Sequence, residues 1–241
     1  MANTVTYQNV LHSTALRMNA LVGSQPAALE TTYLVSPLTA ANFKSADWPF
    51  SSFRDSILLA EEKLAHAIAN VGEHPWRQAL TSATVALANL ASMPALDAAG
   101  LPIIGIWGAV YDSSDNITCS RRSTDEIRRR VRNANTNLVV PAYWFNIQGG
   151  HIEHTRTNVK IECCAYSRAA QATAFAANGT ILLPDVLEEA YVSGAVANMT
   201  RDNAYEAQAK VFASHFADTL NMIARGIAVE PVEAVTGKEA A

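Results

Sequence analysis

The chain has 241 residues, 49% of them hydrophobic and 17% charged, with a formal net charge of −4. It is long enough for one domain or two modest ones around a sizeable core, and too apolar for a disordered chain. The acidic balance gives no sign of nucleic-acid binding by the surface as a whole.

At the start of the chain, Asn3, Gln8, Asn9, His12 and Arg17 interrupt the apolar positions, which argues against a secretory leader. No apolar run approaches the ~20 residues of a membrane span. A chain kept in a reducing cytosol is expected. Its cysteines, Cys119, Cys163 and Cys164, are an odd number with no zinc pattern. The sequons at Asn116, Asn178 and Asn198 then carry no glycan.

Residues 4–21 read as a helix with Val10, Leu11, Leu16 and Leu21 on its apolar side, ended by Gly23 and Pro26. Residues 31–38 form a short apolar stretch, either a strand or an extended arm. Trp48-Pro49-Phe50-Ser51 signals the start of a second helix. On it Phe53, Ile57, Ala60, Leu64 and Ile68 recur at steps of three and four. Glu61 and Glu62 are placed off that stripe. Gly72 and Pro75 close the helix, and a third is expected over residues 76–91, stopped near Pro94.

The character changes at Gly100. Ile103, Ile104, Ile106, Trp107, Val110 and Tyr111 read as a strand, and residues 112–116 as a turn. Ser123-Thr124-Asp125-Glu126 has the form of a capping box, opening a short helix with Ile127 and Val131 inward. Residues 143–154 then read as a β-hairpin. Tyr143, Phe145 and Ile147 alternate with Trp144, Asn146 and Gln148, and Gly149-Gly150 supplies a two-residue turn that pairs Ile147 with Ile152. Val159, Ile161, Cys163 and Ala165 alternate with Lys160, Glu162, Cys164 and Tyr166 as a further strand.

Beyond a stretch with weak signals, Asn178-Gly179 marks a loop. Pro184 suits the first position of a helix running to about Asn198, with Asp185 in its first turn. Arg201-Asp202 opens the last helix, where Tyr205, Ala209, Phe212, Phe216, Leu220 and Ile223 fall at helical steps before Gly226. Residues 227–241 read as a tail that is flexible when the protein is alone. The expected fold is therefore mainly α: a helical bundle with an inserted small antiparallel β-module. Residues 1–100 and 168–226 make the bundle and 101–167 the module. The two helical sets must pack together, because neither alone buries its stripes.

Catalytic and metal signals are weak. His151 and His154 flank Glu153, but strand positions three apart point to opposite faces. The adjacent Cys163 and Cys164 diverge for the same reason and are expected as small apolar fillers. Glu61-Glu62 and Glu188-Glu189 lack the histidine three residues on that a carboxylate-bridged metal bundle needs, so they are expected on solvated helix faces. No nucleotide-binding or hydrolase motif occurs; Thr236-Gly237-Lys238 lacks the preceding glycine loop and is followed by Glu239. No catalytic residue, metal or cofactor is expected.

One charge feature stands out. Arg121, Arg122, Arg128, Arg129, Arg130 and Arg132 give residues 121–132 a local charge of +4. They fit a solvated face or a bidentate grip on an acidic protein partner equally well, with DNA a distant third. The candidate partner-interface residues are Arg121, Arg122, Arg128, Arg129 and Arg132, then Tyr143, Trp144 and His154 of the hairpin, then Val229, Val232 and Val235 of the tail.

Four stretches taken in order carry a resemblance. They are residues 55–64 with Glu73-His74-Pro75-Trp76-Arg77, Ile103-Ile104-Gly105 leading to residues 123–128, the 143–154 hairpin, and residues 183–190 with the final helix. Over residues 50–225 or so the chain resembles the head-to-tail connector (adaptor) proteins of tailed bacteriophages. The motifs are diffuse and their order carries the likeness; the first ~45 residues fit less well. The resemblance implies a homo-oligomeric ring, typically twelvefold, that docks under the portal protein and receives tail, nozzle or tail-fibre proteins. It implies a central channel that passes genomic DNA without specific binding, and no membrane. Residues 227–241 would order on the portal. The place implied is the neck of the virion, after synthesis in the host cytoplasm. Two other readings compete: a cytoplasmic helical-bundle enzyme, hydrolytic or metal-dependent, and a different neck or tail protein of the virion.

Overall fold

The computed structural model describes residues 3–21, 37–44, 48–71, 74–80, 85–87, 95–112, 117–121, 142–146, 151–154, 159–200 and 206–226. It is mainly helical with a small, largely antiparallel sheet. The helices are α1 (Tyr7–Arg17), α2 (Phe50–Asn70), α3 (Arg168–Ala176), α4 (Glu188–Thr200) and α5 (Glu206–Ala224). The strands are β1 (Val85–Leu87), β2 (Ile103–Asp112), β3 (Ile117–Arg121), β4 (Ala142–Asn146), β5 (His151–His154) and β6 (Val159–Ala165). The chain divides into two compact units. One is Met1–Leu64 with Ala169–Ala241, and the other is Ala65–Arg168.

In the first unit, α1 starts where Thr6 and Asn9 cap each other reciprocally, which satisfies two otherwise orphaned backbone donors. It ends at Arg17, short of the expected residue 21. Asn19 turns left-handed there (φ 49°), and Leu21 leaves the helix to bridge to Phe43. On α2 the buried side chains Phe53, Ile57, Ala60, Leu64 and Ile68 follow the expected stripe.

Helix α4 is the centre of this unit. Ala190 to Val196, Met199 and Thr200 are all buried, so it is enclosed on nearly every side. Gly194 makes that enclosure possible. A Cβ there would lie 2.8 Å from the Ala60 Cβ and 2.8 Å from a Phe216 ring carbon, so α2 and α5 both approach the α4 backbone closely. Helix α5 buries Phe216 and Ile223, one heptad apart, and leaves much of its remaining surface exposed. Tyr7, Phe43, Phe50, Phe53 and Phe175 form a linked aromatic cluster with ring centroids 4.9–6.2 Å apart. Phe175 belongs to α3, a helix that falls in the stretch of weak signals. It ends at Ala176, and Asn178 just beyond it takes a left-handed conformation (φ 55°). Pro184 does not occupy the first position of α4. It precedes a 3₁₀ turn, Asp185–Leu187, from which α4 continues.

The second unit contains a six-stranded sheet in the order β1-β6-β2-β3-β4-β5. The third helix expected over residues 76–91 is absent: a 3₁₀ turn spans Pro75–Leu80, and Val85–Leu87 is the strand β1, paired antiparallel with β6. Pairing with β6 supplies backbone partners that local helix propensity cannot outbid. The sheet is antiparallel except between β3 and β4, which run parallel.

The expected hairpin is present with a different register. Phe145 lies opposite Ile152 and Asn146 opposite His151, so Ile147 is not the partner of Ile152. The connection is longer than Gly149-Gly150 alone. The slip is two residues, so each strand keeps its alternation of faces. Cys163 and Cys164 are both fully buried, although neighbours on a strand face opposite ways. Strand β6 is therefore covered on both sides at that point. Gly105 of β2 sits against the end of α2, where a Cβ would come within 2.9 Å of the Ala69 carbonyl oxygen.

Among the described residues no helix is long and apolar enough to cross a membrane. The Ser123 capping box, Arg122, Arg128, Arg129, Arg130 and Arg132, and the tail with Val229, Val232 and Val235 lie outside the described residues.

Candidate functional site

Strand register brings three of the sequence-predicted interface residues together. Arg121 is the β3 partner of Tyr143 on β4, and Tyr143 is in turn the partner of His154 on β5. These residues form one row across three neighbouring strands. Trp144, the next residue along β4, pairs with Glu153. The parallel β3–β4 pairing makes this row, because it carries the end of β3, just before Arg122, alongside the start of the hairpin. Sequence spacing alone could not reveal it, since parallel strands need a long connection whose path periodicity does not record.

The polar groups buried in the first unit include one that sequence reasoning misplaced. Glu61 is fully buried, not on a solvated face. Its Oε2 accepts hydrogen bonds from the phenols of Tyr7 (2.6 Å) and Tyr191 (2.8 Å). The Tyr191 oxygen also accepts from the backbone N–H of Leu183 at 3.3 Å, and the Gln171 side-chain amide lies 3.0 Å from the Tyr7 oxygen. One carboxylate thus joins α1, α2 and α4. Burial, and then the Glu61 carboxylate beside it, pushes the Tyr191 phenol well above its ordinary value, so it stays a proton donor. The signal for Glu61 was present in the spacing. It stands four residues after Ile57 and three before Leu64, so it shares their helical face.

The other carboxylates differ among themselves. Glu62 is half-buried. Glu189 is exposed and makes a bidentate pair with Arg17 at 2.6 and 2.7 Å. Glu188 is half-buried, and burial, with Asp185 and Glu189 nearby, pushes its carboxyl up.

The second unit buries a cation, Arg77, which is 1% exposed. Its guanidinium donates to the Ile106 carbonyl oxygen and lies against the Cys164 thiol. Burial pushes the Cys163 thiol up to about 12, with Cys164 and Asp97 adding to the effect. Burial also raises Cys164, against the opposing pull of Arg77. Neither free thiol is poised as a nucleophile. Asp97 is 7% exposed, and its Oδ1 accepts from the backbone N–H of Ala99 (2.9 Å) and Leu101 (2.7 Å). Among the described residues no group of three or more His, Cys, Asp or Glu side chains could hold a metal ion.

No family model matches the chain, and no curated protein sequence matches it.

Proposed function

We propose that this chain is a structural protein of a tailed-phage virion, forming an oligomeric ring that docks under the portal and joins head to tail around a DNA channel. The observation that carries this reading is the architecture. A helical unit is assembled from both ends of the chain, with a sheet-bearing unit, Ala65–Arg168, between its two parts. That arrangement is the plan implied by the connector resemblance. The row of Arg121, Tyr143 and His154 supports it further, because it gathers an arginine, an aromatic residue and a histidine across neighbouring strands. Such residue types are enriched where proteins meet. Glu61 supports it from the other side. A fully buried carboxylate held by two phenols suits a joint between helices in a structural protein.

In this reading the protein acts without cofactor or catalysis. Its partners are further copies of itself, the portal protein above and tail components below, and its place is the neck of the virion. Closure of a ring multiplies individually weak contacts into a stable joint. The test is a mass measurement with negative-stain imaging of the purified protein, alone and mixed with a portal protein. Rings in either sample are expected. A protein that stays monomeric in both samples refutes the reading.

A further inference from the structure

Asn178-Gly179 is the only Asn-Gly step in the sequence. Asparagine loses its side-chain amide most readily before glycine, because glycine has no Cβ to shield the peptide nitrogen that attacks it. The structure gives this pair two opposing properties. The Asn178 side chain is exposed and open to water. The main chain around it is held. Asn178 takes the left-handed φ of 55°, and its N–H donates to the Phe175 carbonyl oxygen at 3.1 Å, closing the end of α3. The Gly179 N–H donates to the Ala174 carbonyl oxygen at 2.8 Å, and the Gly179 carbonyl oxygen accepts from the Tyr7 N–H at 3.0 Å.

Residues 3–6 lie along the same segment as an N-terminal strap. Thr6 bridges to Thr180, and the Ile181 N–H donates to the Val5 carbonyl oxygen at 3.0 Å. The Asn3 amide donates to the carbonyl oxygens of Ile181 and Leu183. Residues 179–183 are thus clamped between the end of α3 and the strap. Loss of the amide requires the Gly179 nitrogen to give up its proton and swing onto the Asn178 Cγ. It cannot do so while its hydrogen is committed to Ala174, so the reaction waits on local opening.

We propose that Asn178 is a gated deamidation site: it reacts only from a state in which the end of α3 and the strap have opened, and its product keeps them from closing again. In the step, the Gly179 nitrogen gives its proton to solvent base and attacks Cγ. The Cγ–Nδ2 bond breaks, and ammonia leaves with a proton from water. Water then opens the cyclic imide at either carbonyl, giving aspartate or isoaspartate, with no oxidation or reduction. Isoaspartate places an extra main-chain carbon ahead of Gly179, which carries its N–H away from Ala174 and its carbonyl oxygen away from Tyr7. Either product also puts a carboxylate at the C-terminal end of α3, where the helix dipole disfavours negative charge. A chain that stays folded keeps its amide, and one that lingers open is marked permanently. This holds with or without the ring proposed above.

The test follows the full-length protein in mildly alkaline buffer, with and without unfolding urea, by mass mapping of the peptide that contains Asn178. Conversion is expected to be at least about tenfold slower in the folded protein, since only the open fraction reacts. Asn3→Ala removes strap bonds without touching the core. It should speed the reaction of the folded protein several-fold and leave the rate in urea unchanged. Equal rates in folded and unfolded protein would overturn the gate, and a folded Asn3→Ala rate equal to the native one would overturn the strap's part in it. The product is tested by ageing the protein in urea, refolding it, separating the isoaspartyl form and measuring hydrogen exchange at the Tyr7 and Ile181 N–H groups. Lost protection is expected there, and not in Asn178→Gly carried through the same steps, because glycine accepts the left-handed position and has no amide to lose. Full protection in the isoaspartyl protein would overturn the second half of the proposal.

Discussion

The two units bury charge in different ways, and their secondary structure explains why. In the first unit the Oε2 of Glu61 accepts from side chains, the phenols of Tyr7 and Tyr191. In the second, Arg77 donates to the main-chain oxygen of Ile106, and Asp97 accepts from the main-chain N–H groups of Ala99 and Leu101. Helices consume their own backbone groups, so a polar side chain buried between them must find another side chain. Turns and strand irregularities leave backbone groups available. Strand β2 has such irregularities in its pairing with β6, between Ile103 and Gly105 and again between Ile106 and Val110. Side-chain pairing ties distant segments together: Glu61 reaches residues 54 and 130 positions away in sequence. Main-chain pairing at Asp97 shapes one loop.

That contrast orders the expected effects of substitution. Glu61→Ala should be the most damaging. It opens a cavity, strands the buried Tyr191 phenol and takes away one of the two acceptors of the Tyr7 phenol, for a loss of about 3 kcal/mol or more. Hydrogen exchange should show the lost protection in both α1 and α4, the helices that the carboxylate joins. Loss confined to α2 would break the comparison, because Glu61 would then be acting only within its own helix. Arg77→Met should cost less, about 1–3 kcal/mol, since methionine fills much of the volume, while the Ile106 oxygen loses a donor and the Cys164 thiol a polar neighbour. Denaturant unfolding of the two variants side by side measures the difference. A larger loss for Arg77→Met than for Glu61→Ala would reverse the ranking.

Much of the helical unit was legible in the sequence, because its signals are local. The α2 stripe from Phe53 to Ile68 and the α5 positions Phe216 and Ile223 follow from periodicity. Glu61 has the charge of a surface residue and the spacing of a core one, and its position on the α2 stripe is what decides its burial. Helix α3 leaves little trace in the sequence, because RAAQATAFA buries only Phe175 and so carries almost no stripe. The sheet was harder to read. The alanine-rich segment around Val85 has helical propensity, and only its pairing with β6 makes it a strand. The hairpin between β4 and β5 was recognisable from alternation, but its register depends on the length of the connection, which Gly149-Gly150 did not reveal. The row formed by Arg121, Tyr143 and His154 depends on a parallel pairing that no local pattern encodes. Legibility therefore fell with the sequence distance of the partners, in the site as in the fold.

The smallest expected effect lies at the N-terminus, where the helical unit departs from its own rule and uses main-chain partners. Asp185 accepts from the Thr4 N–H (2.8 Å), the Thr4 hydroxyl (2.7 Å) and the Val5 N–H (3.1 Å). The Asn3 amide donates to the carbonyl oxygens of Ile181 (2.8 Å) and Leu183 (2.9 Å), and Thr6 bridges to Thr180. Burial pushes the Asp185 carboxyl up, but the hydrogen bonds from Thr4 and Val5 outweigh it and hold the group below its ordinary value. A carboxyl depressed in the folded state contributes its full stabilisation above the unfolded value of ~3.9. That contribution is lost as pH falls through the lower folded value. Acid should therefore release residues 3–6 locally, while no change is expected at neutral pH or above. Asp185→Asn should lose less than about 1 kcal/mol at neutral pH, because the site is accessible and screened by solvent. It should also remove the acid dependence of amide protection at Thr4 and Val5, measured by hydrogen exchange across the acid range. An unchanged acid dependence in Asp185→Asn would mean that another group controls the N-terminus. The main-chain clasp would then be a consequence of helix packing and not one of its causes.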